Sequence, residues 1–424
     1  MDQRQIDEHY MQQALQLARQ GRGRTSPNPV VGAVIVKDDQ VIGRGWHQKA
    51  GTAHAEIHAL AEAGSDAKNA TIYVTLEPCC HHGRTGPCTE AILAAGIQRV
   101  VVAMTDPNPL VAGCGIGMLR ERGVTVETGV LADESAQLNA AFIKWISCKL
   151  PFVTLKNGIS LDGKIATQSG DSRWITGSES RLEVHRMRDV SDAIITGIGT
   201  VLADDPELTT RLPEGGRSPV RVVLDRLART PLGAKILNQQ AAPTIIFVSA
   251  AAPLNRREAL AASGAEVVVA PEVAGRIDLS FVLSTLGQRC LTNVMVEAGG
   301  TLNSAFLFGN YVDKVVMFIA PKIIGGSGAP GPYGGSGCEF LSGAVELEDL
   351  VVRQLGADLM VEGFVKRRES RDVYRTCRGI GQDSCAGARC AFDPVDDCRA
   401  ESVAGRKAGR QYRRGRRLSD GGRI

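Results

Sequence analysis

Four side chains in the first ninety residues have types and spacing that can do chemistry: His54 and Glu56 in HAEIH, Cys79 after Pro78, and Cys88. A hydrolytic zinc site needs three protein ligands and one position left open for water. One imidazole and two thiolates supply three ligands, and the metal lowers the pKa of its water to about 7. A carboxylate within reach then relays the proton; Glu56 is that acid and has no need to touch the metal. A closed structural site, with Cys80, His81 or His82 as fourth ligand, is the competing reading, and it leaves Glu56 without a role. HAEIH is not the zincin H-E-x-x-H, because its Glu lies two residues after His54. His58 reads as a packed or hydrogen-bonded histidine, and Cys114, Cys148, Cys290 and Cys338 read as small buried hydrophobes.

The surrounding pattern says what must hold these groups. Ile6, Tyr10, Ala14, Leu15 and Ala18 recur at helical spacing before a Gly21–Gly23 stop. Residues 30–37 and 40–46 read as strands across an Asp38–Asp39 turn, 54–64 as a helix, 71–77 as a strand and 88–96 as a helix. The run 99–104 is a buried strand, followed by a helix over 115–123 and a strand over 124–129. His54 and Glu56 thus open one helix and Cys79 follows a strand. Strands and helices in alternation predict an α/β layer structure with helices on both sheet faces.

After Pro151 the pattern restarts, with strands in 152–166, 189–206, 219–225, 243–249, 265–270, 292–300 and 314–324. Within 189–206 the strand is followed by a glycine-containing loop, 325–337 (GGSGAPGPYGGSG) reads as a flexible loop, and 356–366 as the end of the patterned region. In 294–306 a strand meets Gly299-Gly300 and a helix start, where backbone approaches closely and a helix N-terminus can hold phosphate. Alone this is weak, since Gly-Gly after a strand is often only a turn. It is not the G-x-G-x-x-G of a Rossmann domain.

The chain has 424 residues, enough for two or three domains. Its net charge of +3 misleads: residues 366–424 carry 16 Lys and Arg against 8 Asp and Glu, leaving 33 against 38 before them. The body therefore offers no electrostatic case for nucleic acid, and aromatics at 4% predict aliphatic cores. No apolar run reaches a membrane span, and the first residues carry no export signal. Eleven scattered cysteines suit a reducing cytoplasm better than a disulfide framework. The tail 367–424 is basic and rich in Cys, Arg and Gly, and reads as a disordered arm or as non-native sequence.

The segments 25–36 (TSPNPVVGAVIV), 45–60 (GWHQKAGTAHAEIHAL), 73–88 (YVTLEPCCHHGRTGPC) and 106–109 (DPNP) together resemble the deaminase domain of the bifunctional riboflavin-biosynthesis deaminase–reductase family. Zinc nucleobase deaminases show H-x-E with P-C-x-x-C; here eight residues separate Cys79 and Cys88, the longer form usual in the resembled family. Cys80 stands where that family usually has Ser. The segments 155–167, 169–176, 196–211, 222–225 and 296–302 resemble the family's reductase domain, so the likeness spans roughly residues 5–365.

That resemblance implies a cytidine-deaminase-like three-layer α/β domain over 1–148 and a dihydrofolate-reductase-like domain over 151–366. It implies zinc on His54, Cys79 and Cys88, Glu56 as proton shuttle, and Asn28, Asp106 and Asn108 in a pyrimidine pocket. It places NADPH at Gly158, Trp174, Thr200, Asp204, Gly299, Gly300 and Thr301, and substrate at Ser172, Arg188, Leu208, Arg211 and Glu297. Arg188 and Arg211 suit a ribose 5-phosphate, to which Arg forms bidentate charged hydrogen bonds. Lys156 is the candidate for orienting substrate or donating a proton, and Arg226 stands where relatives often have a small polar residue. The implied enzyme deaminates a small phosphoribosyl-pyrimidine and then reduces its ribosyl to a ribityl chain, in the cytoplasm, as a homo-oligomer, with no nucleic-acid or membrane partner. A tRNA or nucleic-acid base deaminase with an appended nucleotide-binding domain is the alternative; it needs a basic, aromatic-bearing face that this composition does not favour.

Overall fold

The computed structural model describes residues 1–82, 86–108 and 111–366. The tail 367–424, residues 83–85 of the 73–88 segment and residues 109–110 lie outside the described residues.

The chain begins with helix α1 (Gln3–Arg19), started by a reciprocal capping box between Asp2 and Gln5. Strands β1 (Gly32–Lys37) and β2 (Gln40–Trp46) form a hairpin. Asp38 and Asp39 both take positive φ, 50° and 57°, as a two-residue turn demands. Helix α2 (Ala55–Ala63), strand β3 (Thr71–Val74), helix α3 (Cys88–Ala94), strand β4 (Arg99–Val102), helix α4 (Cys114–Glu121) and strand β5 (Thr125–Thr128) follow. The sheet order is β2-β1-β3-β4-β5, with β3, β4 and β5 parallel. Alternate residues pack to opposite sides: Ala33, Ile35, Ile72 and Val100 meet α2 to α4, while Val34, Tyr73 and Val101 meet α1. Two buried faces make three layers, because the period-2 strand sends apolar side chains both ways.

Helices α5 (Ala132–Leu138) and α6 (Ala140–Cys148) lead out of this layer. The second sheet comprises β6 (Phe152–Ser160), β7 (Ala193–Gly197), β8 (Val220–Leu224), β9 (Thr244–Val248) and β10 (Glu266–Val269). A short hairpin, β11 (Glu272–Val273) with β12 (Arg276–Ile277), stands apart. The main sheet then gains β13 (Asn293–Val296), β14 (Lys314–Ala320), β15 (Leu347–Leu355) and β16 (Asp358–Val365). The helices are α7 (Ser178–Val190), α8 (Ile198–Asp204), α9 (Leu254–Ala262), α10 (Leu279–Gln288) and α11 (Gly300–Phe308). The order β10-β9-β8-β7-β13-β6-β14-β16-β15 is parallel from β10 to β14 and antiparallel beyond.

Three expectations are corrected. The segment after β7 is helix α8, because Val201 buries itself under the sheet and draws the turn into a helix. The glycine-rich stretch 325–337 has no regular structure but is tied down: Ile165 N–H donates to Pro330 O, and Gly334 N–H donates to Gly300 O. Cys148 and Cys338 are exposed and Cys114 is half-buried, so of those four cysteines only Cys290 packs inside.

Candidate active sites

The first site forms where two helices start beside one strand. His54 is the N-cap of α2, Cys88 is the first residue of α3, and Cys79 lies in the turn after β3. Thr89 fastens that turn, its N–H and hydroxyl both donating to Cys79 O. His54 Nδ1 lies 3.3 Å from Cys88 Sγ and 3.5 Å from Cys79 Sγ. A tetrahedral zinc holds such S and N donors about 3.6 Å apart. The three ligand atoms all lie within 4.8 Å of one another, so the donor set fits the ion in number, chemistry and spacing. Hydrogen bonding from Cys88 holds the Cys79 thiol down to about 4 against its burial, with His54 adding to the effect. The thiolate is the ligand form.

Glu56 follows one residue into α2, 3% exposed, with Oε2 unpartnered. Burial pushes its carboxyl pKa up, against the pull of His54. A raised carboxyl holds its proton more readily than a solvated one, which suits a proton relay. Of the competing fourth ligands, His82 lies at the surface 3.4 Å from Glu90. Asn28 Nδ2 lies 3.4 Å from His47 Nε2, and Asn28 Oδ1 is buried and unpartnered. Asp106 accepts the Asn108 N–H at 2.9 Å, and burial pushes its carboxyl up to about 7.

Two residues of this site escaped the sequence reading. His47 is 3% exposed, its ring edge-on to His54 at 5.4 Å, and burial holds its pKa down to about 4. Its Nδ1 lies 3.2 Å from Ala53 O, which places the proton there and leaves Nε2 to accept from Asn28. Glu77 accepts three backbone N–H groups, those of Asp106, Gly113 and Ile116, at 2.9 to 3.1 Å. It thus ties the turn bearing Cys79 to the segment bearing Asp106 and Asn108. Nothing in the sequence marks an acidic residue as a collector of distant backbone donors. Glu77→Gln turns one acceptor into a donor facing N–H groups, so the deamination KM rises by roughly tenfold, the scale of one or two lost buried hydrogen bonds. Steady-state ammonia release measures it, and an unaltered KM contradicts the role.

The second site gathers at the carboxyl ends of neighbouring parallel strands, where open α/β sheets place ligands. Lys156 on β6 and Glu297 just past β13 stand 3.3 Å apart. Arg188 on α7 grips Glu297 with Nε at 2.8 Å and NH2 at 3.0 Å, while its NH1 donates to Thr209 O at 3.1 Å. Burial alone would raise the Glu297 carboxyl; Arg188 and then Lys156 hold it down to about 2. Each of the three Arg188 nitrogens therefore already donates one hydrogen bond to protein. Arg211 is more open, 54% exposed at its side chain, with NH1 on Glu207 and Thr209. Leu208 is buried at φ 50° between them in sequence.

The helices after β7 and β13 start side by side: a Cβ on Gly197 would lie 3.4 Å from Leu302 of α11. Thr200 and Asp204 belong to α8, and Thr301 to the first turn of α11. Gly299 has open space where a Cβ would stand, whereas a Cβ on Gly300 would lie 2.9 and 3.0 Å from Gly331 O and Gly334 N. Two adjacent helix starts with one vacant cradle fit a dinucleotide phosphate group. Trp174 is 64% exposed with the Arg181 guanidinium 4.9 Å from its ring. Gly158 faces Thr176, and Ser172 is half-buried in the same connection after β6. Asn303, wholly buried, donates to Asn157 Oδ1, Ala298 O and Pro332 O, which fixes the start of α11.

Known proteins match both halves of the chain. A model of the cytidine and deoxycytidylate deaminase zinc-binding region matches residues 4–104, and one of the RibD C-terminal domain matches 151–361. Riboflavin biosynthesis protein RibD of Bacillus amyloliquefaciens is 43% identical over 371 residues, covering 87% of this chain and 100% of that protein. The Escherichia coli (strain K12) protein of the same name is 42% identical over 83% of this chain and 98% of its own. The crystal form 1 structure of Acinetobacter baumannii RibD superposes with a TM-score of 0.77 at 42% identity, over 86% of this chain and 100% of that one. A Thermotoga maritima structure described as a diaminohydroxyphosphoribosylaminopyrimidine deaminase/5-amino-6-(5-phosphoribosylamino)uracil reductase gives 0.75 at 37% identity, over 86% and 99%. The chain belongs to the RibD family of riboflavin-biosynthesis enzymes, a zinc-dependent deaminase joined to an NADPH-dependent reductase of dihydrofolate-reductase-like fold.

Proposed function

We propose that residues 1–148 hydrolytically deaminate 2,5-diamino-6-(5-phosphoribosylamino)pyrimidin-4(3H)-one and that residues 151–366 then reduce the ribosyl group of the product to ribityl. The observation that carries the first step is the His54, Cys79 and Cys88 cluster with the buried Glu56 beside it, its Oε2 unpartnered. Zinc, when bound there, supplies Lewis acidity that makes water a nucleophile at neutral pH. Asn28 Oδ1 accepts a hydrogen bond from the pyrimidine, and Asp106 and Asn108 border the ring. Glu56 takes the proton of the attacking water and returns it to the departing amine, so that water adds and ammonia leaves.

For the second step Gly158, Trp174, Thr200, Asp204 and the Gly299–Thr301 turn would hold NADPH, which would supply the hydride that reduces C1′ of the opened sugar. The hydride chemistry resides in the cofactor, and the protein positions the reactants. Lys156 donates the balancing proton. Glu297, held ionised and oriented by Arg188, binds substrate with Ser172 and Leu208. Arg211 takes the 5-phosphate, since Arg188 is engaged with Glu297 and Thr209. The enzyme acts as a cytoplasmic homo-oligomer on a small molecule; among the described residues no helix is long and apolar enough to cross a membrane.

Ammonia release from the free phosphoribosyl-pyrimidine, with none from tRNA, is the expected result, and the reverse overturns the reading. Lys156→Ala lowers the kcat of NADPH oxidation on the deaminated product by at least about a hundredfold, the usual contribution of a positioned acid. Deamination by the same protein stays unchanged. Normal reductase turnover removes Lys156 from the mechanism.

A further inference from the structure

The segment that carries Asn28 is held by the other half of the chain. Ser26 Oγ donates to Asp192 Oδ2 at 2.6 Å and lies 3.2 Å from Thr292 Oγ1. Arg24 NH2 meets both carboxylate oxygens of Asp189, at 3.0 and 2.9 Å. The fit is close: a Cβ on Gly23 would lie 2.8 Å from both Asp189 O and Val190 Cα. Asp192 is itself rigid, 3% exposed, accepting also from Thr292 N–H, Asn293 N–H and Arg217.

From this anchor a short series of contacts runs to the metal cluster. Asn28 lies two residues after Ser26 and its N–H donates to Thr25 O at 2.8 Å. Its amide meets His47, whose ring stands edge-on to His54. The Asn28 acceptor left for a ligand is therefore aimed by a loop whose other side is bonded to α7 and to the residues that lead into β7 and β13. Pre-organised binding groups cost less ordering on association, so loosening this loop weakens binding before it affects chemistry.

We propose that Ser26 and Arg24, with Asp192 and Asp189 of the reductase half, are positioning residues of the deaminase site: the reductase half completes the substrate pocket of the first reaction. This rests on the assignment of the deaminase reaction above. One helix then serves both sites, since Asp189 holds Arg24 while the preceding residue, Arg188, holds Glu297.

The test uses the whole chain loaded with zinc. Ser26→Ala removes the hydroxyl alone, and its deamination KM rises roughly tenfold, the scale of one buried hydrogen bond, with kcat within about twofold. Zinc content and NADPH oxidation on the deaminated product stay at wild-type values, and Ser26→Thr, which keeps the hydroxyl, restores most of the loss. Arg24→Ala gives a smaller KM rise, and the exchange Arg24→Asp with Asp189→Arg recovers part of it. An unchanged KM in both Ser26→Ala and Arg24→Ala overturns the proposal. Equal losses of deamination and reduction overturn it too, because the contact then merely holds the fold. Failure of the wild-type chain to deaminate is a different result and overturns the reaction assignment instead.

Discussion

Glu56→Gln lowers deamination by about a hundredfold to ten-thousandfold, the range a positioned acid–base group contributes, while zinc content and NADPH oxidation on the deaminated product persist. Glutamine keeps the shape of the side chain and fills the same buried space at the start of α2. It cannot take a proton from water and return it to a leaving amine. The three ligand side chains are unchanged by the substitution, and His54 Nδ1 lies 3.3 Å from Cys88 Sγ and 3.5 Å from Cys79 Sγ in the wild-type structure. Metal analysis and the two assays on one preparation decide the matter. Loss of zinc makes Glu56 a structural partner of the metal site, and retained deamination assigns the proton relay to another group.

The second large effect concerns stability. Lys144 on α6 reaches Asp313 at 2.6 Å, with side chains 7% and 1% exposed, and the same Asp313 oxygen accepts the Val153 N–H at 2.7 Å. Trp145 next to it donates its indole N–H to Gly287 O at 2.9 Å, and Gly287 is pressed against the Lys149 carbonyl. The helix that ends the first half is thus embedded in the second. Removing one partner of a buried ion pair strands the other charge and costs about 3–5 kcal/mol. Lys144→Met is therefore strongly destabilised, seen as a lower denaturant midpoint, and both activities are lost on heating together. Loss of one activity well before the other contradicts a shared interface. The same contacts predict that a cut at 148–151 leaves apolar and charged surface exposed on both pieces.

Much of the fold was legible because local rules and burial agreed. The helix over residues 3–19 combines a capping box with an apolar stripe, and the 32–46 hairpin has two residues able to take positive φ at its turn. Where local signals were weak, the reading missed. Strand 347–355 shows no apolar alternation because it is the exposed edge of the sheet, with Leu350, Val351 and Val352 open to solvent. Helices 132–138 and 140–148 show no one-sided pattern, since the second is buried around most of its circumference, by Met104 and Ala136 as well as by Cys290. The stretch 325–337 has the composition of a free loop, yet Asn303 and Gly300 hold it by bonds from distant residues.

By itself the sequence determined the chemistry on offer: one imidazole, two thiols and an acid spaced for a catalytic zinc, and a strand–glycine–helix turn able to take a phosphate. Those properties lie in residue type and local order, which a linear text preserves. Tertiary structure alone decided which groups are free to act. It buried Arg188 against Glu297 and left Arg211 half-exposed on Glu207, gave Glu77 its three backbone donors, and brought Asp192 to Ser26 across 166 positions. The physical reason is that hydrogen-bond partners and desolvation are properties of neighbours in space, and in this chain the decisive neighbours are far apart in sequence.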